Sequence, residues 1–393
     1  MTTSQRAEQL AAALVAALKA ADDLHDPRIE QALLRVPRHV FLPELPLEQA
    51  YANDAIPLKR DSAGNVTSSV SQPAMIVQML EQLALEPGQN VLEIGTATGY
   101  NAALMQYLVG DAGRVTSVEL ELDLIERAQR SLQRVQMNGD VTVVQADGAN
   151  GYAPRAAYDR IIATAGVWDV PPAWERQLKP KGILVTPIWL EAVQVSAAFR
   201  FDEDGTLISD HNLPCWFVRM RGGEAGPELT ARVGNSSLEL ISTEIRRIDG
   251  AALQSLMEDW VEINYLDMPL QFWKLFGGFL PYLTLNTPPD ATLAYFGVND
   301  ETAPFGIKGA GFALLMSGSA CFISFTEGGG AHCFGSADAF LTAQDFLNQW
   351  RTGGEPGIEG LRMRLLPPGE RFTPPRQGKL FPRRHHTLHA WYG

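Results

Sequence analysis

The sequence predicts an α/β protein: a doubly wound, mostly parallel sheet in residues 1–222, then a second, smaller α+β domain in residues 223–393. Three observations predict it. Short apolar runs alternate with amphipathic ones from residue 90 to residue 188, and that alternation implies crossover connections between parallel strands. The first of these strands ends in a glycine-rich turn that opens a helix, the ligand-binding end of such a sheet. The rhythm then stops near residue 222, where RGGEAGPEL (221–229) reads as a turn-forming linker. A length of 393 residues also exceeds the usual size of one domain.

The elements follow in order. Residues 4–20 carry apolar side chains at spacings of three and four, a helical period, and RIEQALLRV (28–36) continues it until Pro37 and Pro43 break the pattern. From Tyr51 to Val70 the chain is polar and reads as a surface loop. Residues 73–84 predict a helix with Pro73 in its first turn. NVLEIG (90–95), RVTSVE (114–119), VTVVQA (141–146), DRIIATA (159–165) and GILVTPI (182–188) predict five strands. Helices at 99–109, 122–137 and 171–178 fall between them. Beyond the linker, a helix is expected near 250–258, an apolar segment at 270–283, strand-like runs at 291–298 and 311–325, a helix at 338–350 and a strand at 360–367.

Composition excludes several classes. The formal net charge is −13, whereas non-specific nucleic-acid binding needs a surplus of Lys and Arg. No run of about 18 apolar residues predicts a membrane span. The amino terminus has no basic stretch followed by an apolar core, so no signal peptide is expected and a cytoplasmic location is. Cys215, Cys321 and Cys333 have no zinc-ligand spacing and are expected as buried reduced thiols. No metal is expected; His385, His386 and His389 lack carboxylate or cysteine partners at ligand spacing.

The turn VLEIGTATGYNAALM (91–105) places Glu93, Gly95, Thr96, Ala97 and Gly99 between strand and helix. Glycine there lets the backbone turn tightly and approach a ligand. The spacing E-x-G-x-A-x-G is close to the E-x-G-x-G-x-G of class I methyltransferases, with alanine at the central position, and differs from the G-x-G-x-x-G of dinucleotide binders. The fold is therefore expected to be the class I methyltransferase Rossmann-like sheet, with S-adenosyl-L-methionine as cofactor. Glu119 ends the second strand, where an acid accepts ribose hydroxyls. Asp147 and Gly148 follow the third, where in this fold an acid meets the adenine amino group. Each feature alone has a plainer reading, a simple turn or a solvated strand-end carboxylate, and an acid after the second strand also suits NAD.

RVPRHVFLPE (35–44), AYANDAIPL (50–58), SVSQPAMIVQMLEQL (69–83), the glycine-rich turn and YDRIIATAGVWDVPPAWERQLKPKGILVTPI (158–188) together resemble the protein-L-isoaspartate O-methyltransferase family. The resemblance spans about residues 30 to 200. It implies carboxyl methylation of isoaspartyl or aspartyl residues in a peptide or protein. It places Ser71 beside the substrate carboxylate as the catalytic residue, with Gln72 and Ala165 near the substrate, and carries the cofactor onto Gly95 to Gly99, Glu119, Asp147 and Gly148. The long C-terminal part, with GYNAAL, AGVWDVPPAW and CWFVRMRG (215–222), looks more like the branch that modifies ribosomally made precursor peptides.

The chemistry needs no general base. A carboxylic acid ionises with a pKa of about 4 and is already a nucleophile at neutral pH, so placement is the enzyme's task. Ser71 can donate to the oxygen that does not attack, or can merely cap the helix that S-Q-P opens. His39 is expected at the surface or as a cap. Phe272, Trp273, Phe276, Phe279 and Tyr282 are expected in the core, with a peptide-groove wall as the alternative. Lys379, Arg383 and Arg384 form a basic, aromatic end that either holds an acidic peptide or is merely solvated. General isoaspartyl repair and a non-catalytic peptide-binding module are the rival functions. The sequence leaves the oligomeric state open.

Overall fold

In a computed structural model, residues 2–62, 64–135, 139–259, 261–267, 272–298, 303–325, 329–368 and 378–393 are described. The chain divides into two compact units. The first comprises Met1–Pro187, Ser196–His211 and Cys215–Ala225; the second comprises Ile188–Val195, Asn212–Pro214 and Gly226–Gly393.

In the first unit, α1 (Thr3–Ala20) buries Ala7, Ala11, Leu14, Val15 and Leu18 along one stripe, and a Thr2–Gln5 capping box starts it. Asp26 caps α2 (Pro27–Arg35), and α3 (Leu47–Ala50) is a single turn. The stretch expected as a loop instead folds into a hairpin of β1 (Ile56–Arg60) and β2 (Val66–Val70), antiparallel, with Ile56 opposite Val70. Its strands are short and half-buried, and β2 carries Thr67, Ser68 and Ser69 between its two valines, so no sustained apolar alternation marks it.

The sheet follows. α4 (Pro73–Leu83) leads to β3 (Asn90–Ile94), α5 (Tyr100–Val109), β4 (Arg114–Glu119), α6 (Leu122–Val135), β5 (Asp140–Gln145), β6 (Tyr158–Ala163), α7 (Pro172–Gln177), β7 (Leu178–Leu190), β8 (Val193–Phe201) and β9 (Leu207–Pro214). The strand order is β9-β8-β7-β6-β3-β4-β5. β3 pairs in parallel with both β4 and β6. The order therefore reverses beside β3, and a crevice opens outside the carboxyl ends of strands at such a point. Strands β8 and β9 were not anticipated. The expected helix 122–137 ends at Val135; Gln136 and Met137 lie outside the described residues.

The second unit contains a seven-stranded antiparallel sheet. Its strands are β10 (Thr230–Arg232), β11 (Leu238–Ile241), β12 (Val261–Tyr265), β13 (Thr292–Val298), β14 (Ala310–Met316), β15 (Ser319–Ser324) and β16 (Gly330–Gly335), in the order β10-β11-β13-β14-β15-β16-β12. The helices are α8 (Gly250–Glu258), α9 (Phe272–Lys274), α10 (Leu280–Asn286) and α11 (Asp338–Thr352), with a π-helical turn at Leu275–Phe279 between α9 and α10. Phe279 packs against Phe312 and Trp350 in the core, and Phe276 against Phe325, as core packing requires. Trp273 is exposed. Leu270, Gln271 and the side chain of Phe272 lie outside the described residues.

The chain ends in β17 (Leu361–Leu366), β18 (Lys379–Pro382) and β19 (Thr387–Tyr392), all antiparallel about β19. The basic end is thus no solvated tail. Lys379 pairs with the buried Glu191 carboxylate and donates to Thr284 O at 3.0 Å, while Arg383 donates to Trp189 O at 2.8 Å. Lys379 and Arg383 are thus anchored within the fold, whereas Arg384 is exposed. Arg376 and Gln377 lie outside the described residues. The three cysteines are free thiols; Cys321 and Cys333 face each other at 3.7 Å across β15 and β16. No described helix is long and apolar enough to cross a membrane.

Candidate active site

The carboxyl ends of β3, β4 and β6 open into two adjoining pockets. Ser69, Gly95, Ala97 and Thr164 line both, so the two form one trench.

The glycine-rich turn is the trench floor. Gly95 has φ +96°, and a Cβ there would stand 2.6 Å from Thr164 Oγ1. Gly99 has φ +85°, starts α5 and faces Ala128. Ala97, the departure from glycine, takes φ +48°. An L-residue pays about 1–2 kcal/mol in that left-handed region. Ala97→Gly is expected to be neutral to slightly stabilising, because relief of that strain is opposed by about 0.4–1 kcal/mol of added unfolded-chain freedom. Thermal melting of the variant checks this; a fall of several degrees would show that the methyl group packs usefully.

Two carboxylates brace the turn. Glu93 is fully buried, and its oxygens accept from Asn101 Nδ2 at 2.8 Å and Ser117 Oγ at 2.5 Å. Burial pushes its carboxyl up to about 7, with the Ser117 and Asn101 donors opposing and the Glu119 charge adding. Glu119 Oε2 accepts from the Thr96 and Ala97 amides, each at 3.2 Å, and Oε1 from Leu120 N at 2.8 Å and Glu121 N at 3.3 Å. Thr96 Oγ1 also meets Ser117 Oγ at 2.6 Å.

At the second pocket, Glu119, Gly148 and Ala165 line the wall. Asp147 lies just behind. Its Oδ1 accepts from Ala149 N at 3.0 Å, and its Oδ2 from Gly223 N at 2.7 Å. Trp174 Nε1 donates to Gly148 O at 2.8 Å and fixes that turn. Residues 221–223, expected as linker, are therefore part of the site. Gly222 has φ +97°, and a Cβ on it would lie 2.5 Å from Asp147 Oδ1. Arg221 pairs with Glu121, which also pairs with Lys59 of the hairpin. Such pairings join residues far apart in sequence, and no local pattern announces them.

At the first pocket, Ser71 stands with Ser69, Val70, Tyr100, Asn101 and Phe217. It is not the helix cap. Gln72 takes that position without a side-chain capping bond, and the Ala74 amide is instead satisfied by Asn53 Oδ1 at 2.9 Å. Gln72 itself is exposed and donates to Asn53 O at 3.0 Å; it lines neither pocket. His39 is half-buried, not superficial, with Nδ1 2.9 Å from the Tyr51 hydroxyl, and burial lowers its pKa. Among the described residues no group of three or more His, Cys, Asp or Glu is placed to hold a metal ion.

The sequence profile of the protein-L-isoaspartate(D-aspartate) O-methyltransferase family matches residues 9–225, the segment that builds this trench. The protein-L-isoaspartate O-methyltransferase of Methanopyrus kandleri is 37% identical over 215 residues, which is 55% of this chain and 92% of the relative. That of Geobacter metallireducens is 38% identical over 197 residues, 50% of this chain and 87% of the relative. A solved structure of a protein-L-isoaspartate O-methyltransferase is 25% identical, with a TM-score of 0.52, and covers 90% of this chain and 96% of its own. That alignment runs well past the segment the family profile matches, so a C-terminal extension is compatible with the plain family name.

Proposed function

Because the chain belongs to the protein-L-isoaspartate(D-aspartate) O-methyltransferase family, we propose that the trench is its active site, with the cofactor at the Glu119 end and an isoaspartyl or aspartyl carboxylate of a peptide at the Ser71 end. The protein is a methyltransferase of the class I fold, and its cofactor is S-adenosyl-L-methionine. The observation that carries the reading is the sharing of Ser69, Gly95, Ala97 and Thr164 by two pockets, one holding Glu119 and the other Ser71.

The residues fit the cofactor. Gly95 and the φ +85° of Gly99 leave a cradle that a Cβ would fill or strain, and Glu119, on the pocket wall, supplies acceptors for hydroxyl donors, with Asp147 behind that wall holding Gly223 in place. Bound there, the cofactor supplies a methyl group already activated on a sulfonium. The chain's part is placement. The acceptor carboxylate is ionised at neutral pH, so no residue has to remove a proton. Ser71 donates to the acceptor oxygen that does not attack and fixes its orientation. The apolar walls of Val70, Ile76, Met79 and Phe217 exclude water from the reacting end. The methyl ester so formed has a better leaving group than the carboxylate, and the neighbouring backbone nitrogen can close a succinimide.

Ser71→Ala is expected to lower the turnover of an isoaspartyl peptide by about ten-fold or more, the scale of one lost oriented hydrogen bond, with S-adenosylhomocysteine affinity unchanged. Steady-state kinetics beside calorimetry checks this, and turnover at the wild-type rate would remove Ser71 from the reaction. A finer reading is that the enzyme is a dedicated modifier of one precursor peptide, a task in which other aspartates must be rejected. The motivation is that residues 226–393 lie beyond the segment that the family profile matches. Equal turnover of unrelated isoaspartyl peptides would favour general repair instead.

A further inference from the structure

Arg38, which the scheme above leaves unused, lies in the 3-10 turn Arg38–Phe41 and is fully buried. Its Nε donates to Ala50 O at 2.9 Å and its Nη2 to Ser71 O at 3.2 Å. The guanidinium lies over the Tyr100 ring, 4.9 Å from its centre. These partners are all neutral. Among the described residues no carboxylate stands within ion-pair distance of Arg38, and Nη1 has no hydrogen-bond partner. An unpaired buried charge costs several kcal/mol, and an apolar side chain of similar volume fills such a space more cheaply. Arginine nevertheless keeps its proton. Two of its neighbours, Ser71 and Tyr100, line the pocket assigned to the acceptor.

We propose that Arg38 is a positioning residue whose uncompensated charge, set behind the Ser71–Tyr100 wall, makes the acceptor pocket selective for an anionic acceptor. The proposal rests on the carboxyl-methyltransferase reading. Arg38 does not touch the acceptor. It holds the Ser71 main chain through its carbonyl, and it acts on the carboxylate through space in a water-poor pocket, where charges are weakly screened. The carboxylate is its counter-ion, so both desolvation costs are offset only when the ionised acceptor is seated. Structural bracing of Ser71 by hydrogen bonds alone would require no such preference for charge.

The test uses the full chain and two peptides that differ only at the isoaspartyl α-carboxyl, free in one and a carboxamide in the other. Wild-type protein is expected to bind the amide peptide, measured as a competitive inhibitor, at least roughly ten-fold more weakly than the acid peptide. In Arg38→Met the KM for the acid peptide is expected to rise by roughly the same factor, while kcat, S-adenosylhomocysteine affinity and binding of the amide peptide change little. Arg38→Lys, which keeps the charge, is expected to recover most of the acid preference. Equal binding of acid and amide by the wild type overturns the proposal, as does an unchanged acid preference in Arg38→Met. If Arg38→Met no longer binds S-adenosylhomocysteine and has failed to fold, the wild-type ratio and Arg38→Lys decide. A wild-type protein that binds the cofactor but methylates no isoaspartyl peptide would instead defeat the underlying functional reading.

Discussion

Glu119→Ala is expected to weaken S-adenosylhomocysteine binding by about 2 to 4 kcal/mol, the worth of two hydrogen bonds to a charged group. That corresponds to a loss of about 30- to 700-fold in affinity. The carboxylate now receives four backbone N–H groups, three of them at 3.2 Å or longer. A carboxylate offers about four acceptor sites, so hydroxyl donors at normal hydrogen-bond distance can compete for those weakly held. The alanine variant loses the ribose contact and also releases the Thr96 and Ala97 amides, loosening the turn that carries Gly95 and Gly99. Glu119→Gln keeps one acceptor oxygen and is expected to fall between the two. Calorimetry measures the affinities, and wild-type affinity in Glu119→Ala would refute the assignment.

Gly95→Ala is expected to destabilise the first unit by about 2 to 6 kcal/mol, summing backbone strain of about 1–3 kcal/mol with overpacking of a similar size. The added methyl would meet Thr164 Oγ1 at 2.6 Å, and that hydroxyl is held by Ile94 O at 3.1 Å and Gly95 O at 2.8 Å. It cannot swing aside without losing both bonds. Gly205 is the control: its φ is +78°, but nothing lies within 4 Å of its Cβ position. Gly205→Ala therefore reports the conformational cost alone, and calorimetric melting of both variants separates the two terms. Equal losses would show that Thr164 yields and that the close approach costs nothing.

What the sequence made legible follows from the range of the interactions. The parallel core was readable because its central strands β3 and β4 are buried almost throughout and its helices keep a 3.6-residue stripe, as α6 does with Leu124, Ile125, Ala128 and Ser131. The glycine-rich turn and the strand-end acids are local motifs, and they sit together at the trench. The hairpin was not readable, since its strands are only five residues long and half-buried, and β2 carries Thr67, Ser68 and Ser69 between its two valines. The choice between cap and substrate contact for Ser71 stayed open in the sequence because the acceptor at the start of α4 comes from Asn53, twenty-one residues before Ala74. The contact of Gly223 with Asp147 spans 76 residues, and a Gly-rich stretch by itself looks like a linker. The anchoring of the basic C-terminus is illegible for the same reason: the Lys379 partner, Glu191, lies 188 residues away.

The decisive measurement is methyl transfer by the 393-residue protein to a synthetic isoaspartyl peptide. The peptide is incubated with S-adenosylmethionine beside copies carrying normal aspartate and isoasparagine, and all three products are weighed by mass spectrometry. The expected result is one added methyl on a carboxyl-bearing peptide, removed again by mild base with passage through a succinimide, and none on the amide. A methyl group that resists base, or methylation of the amide peptide as readily as the acids, would contradict it.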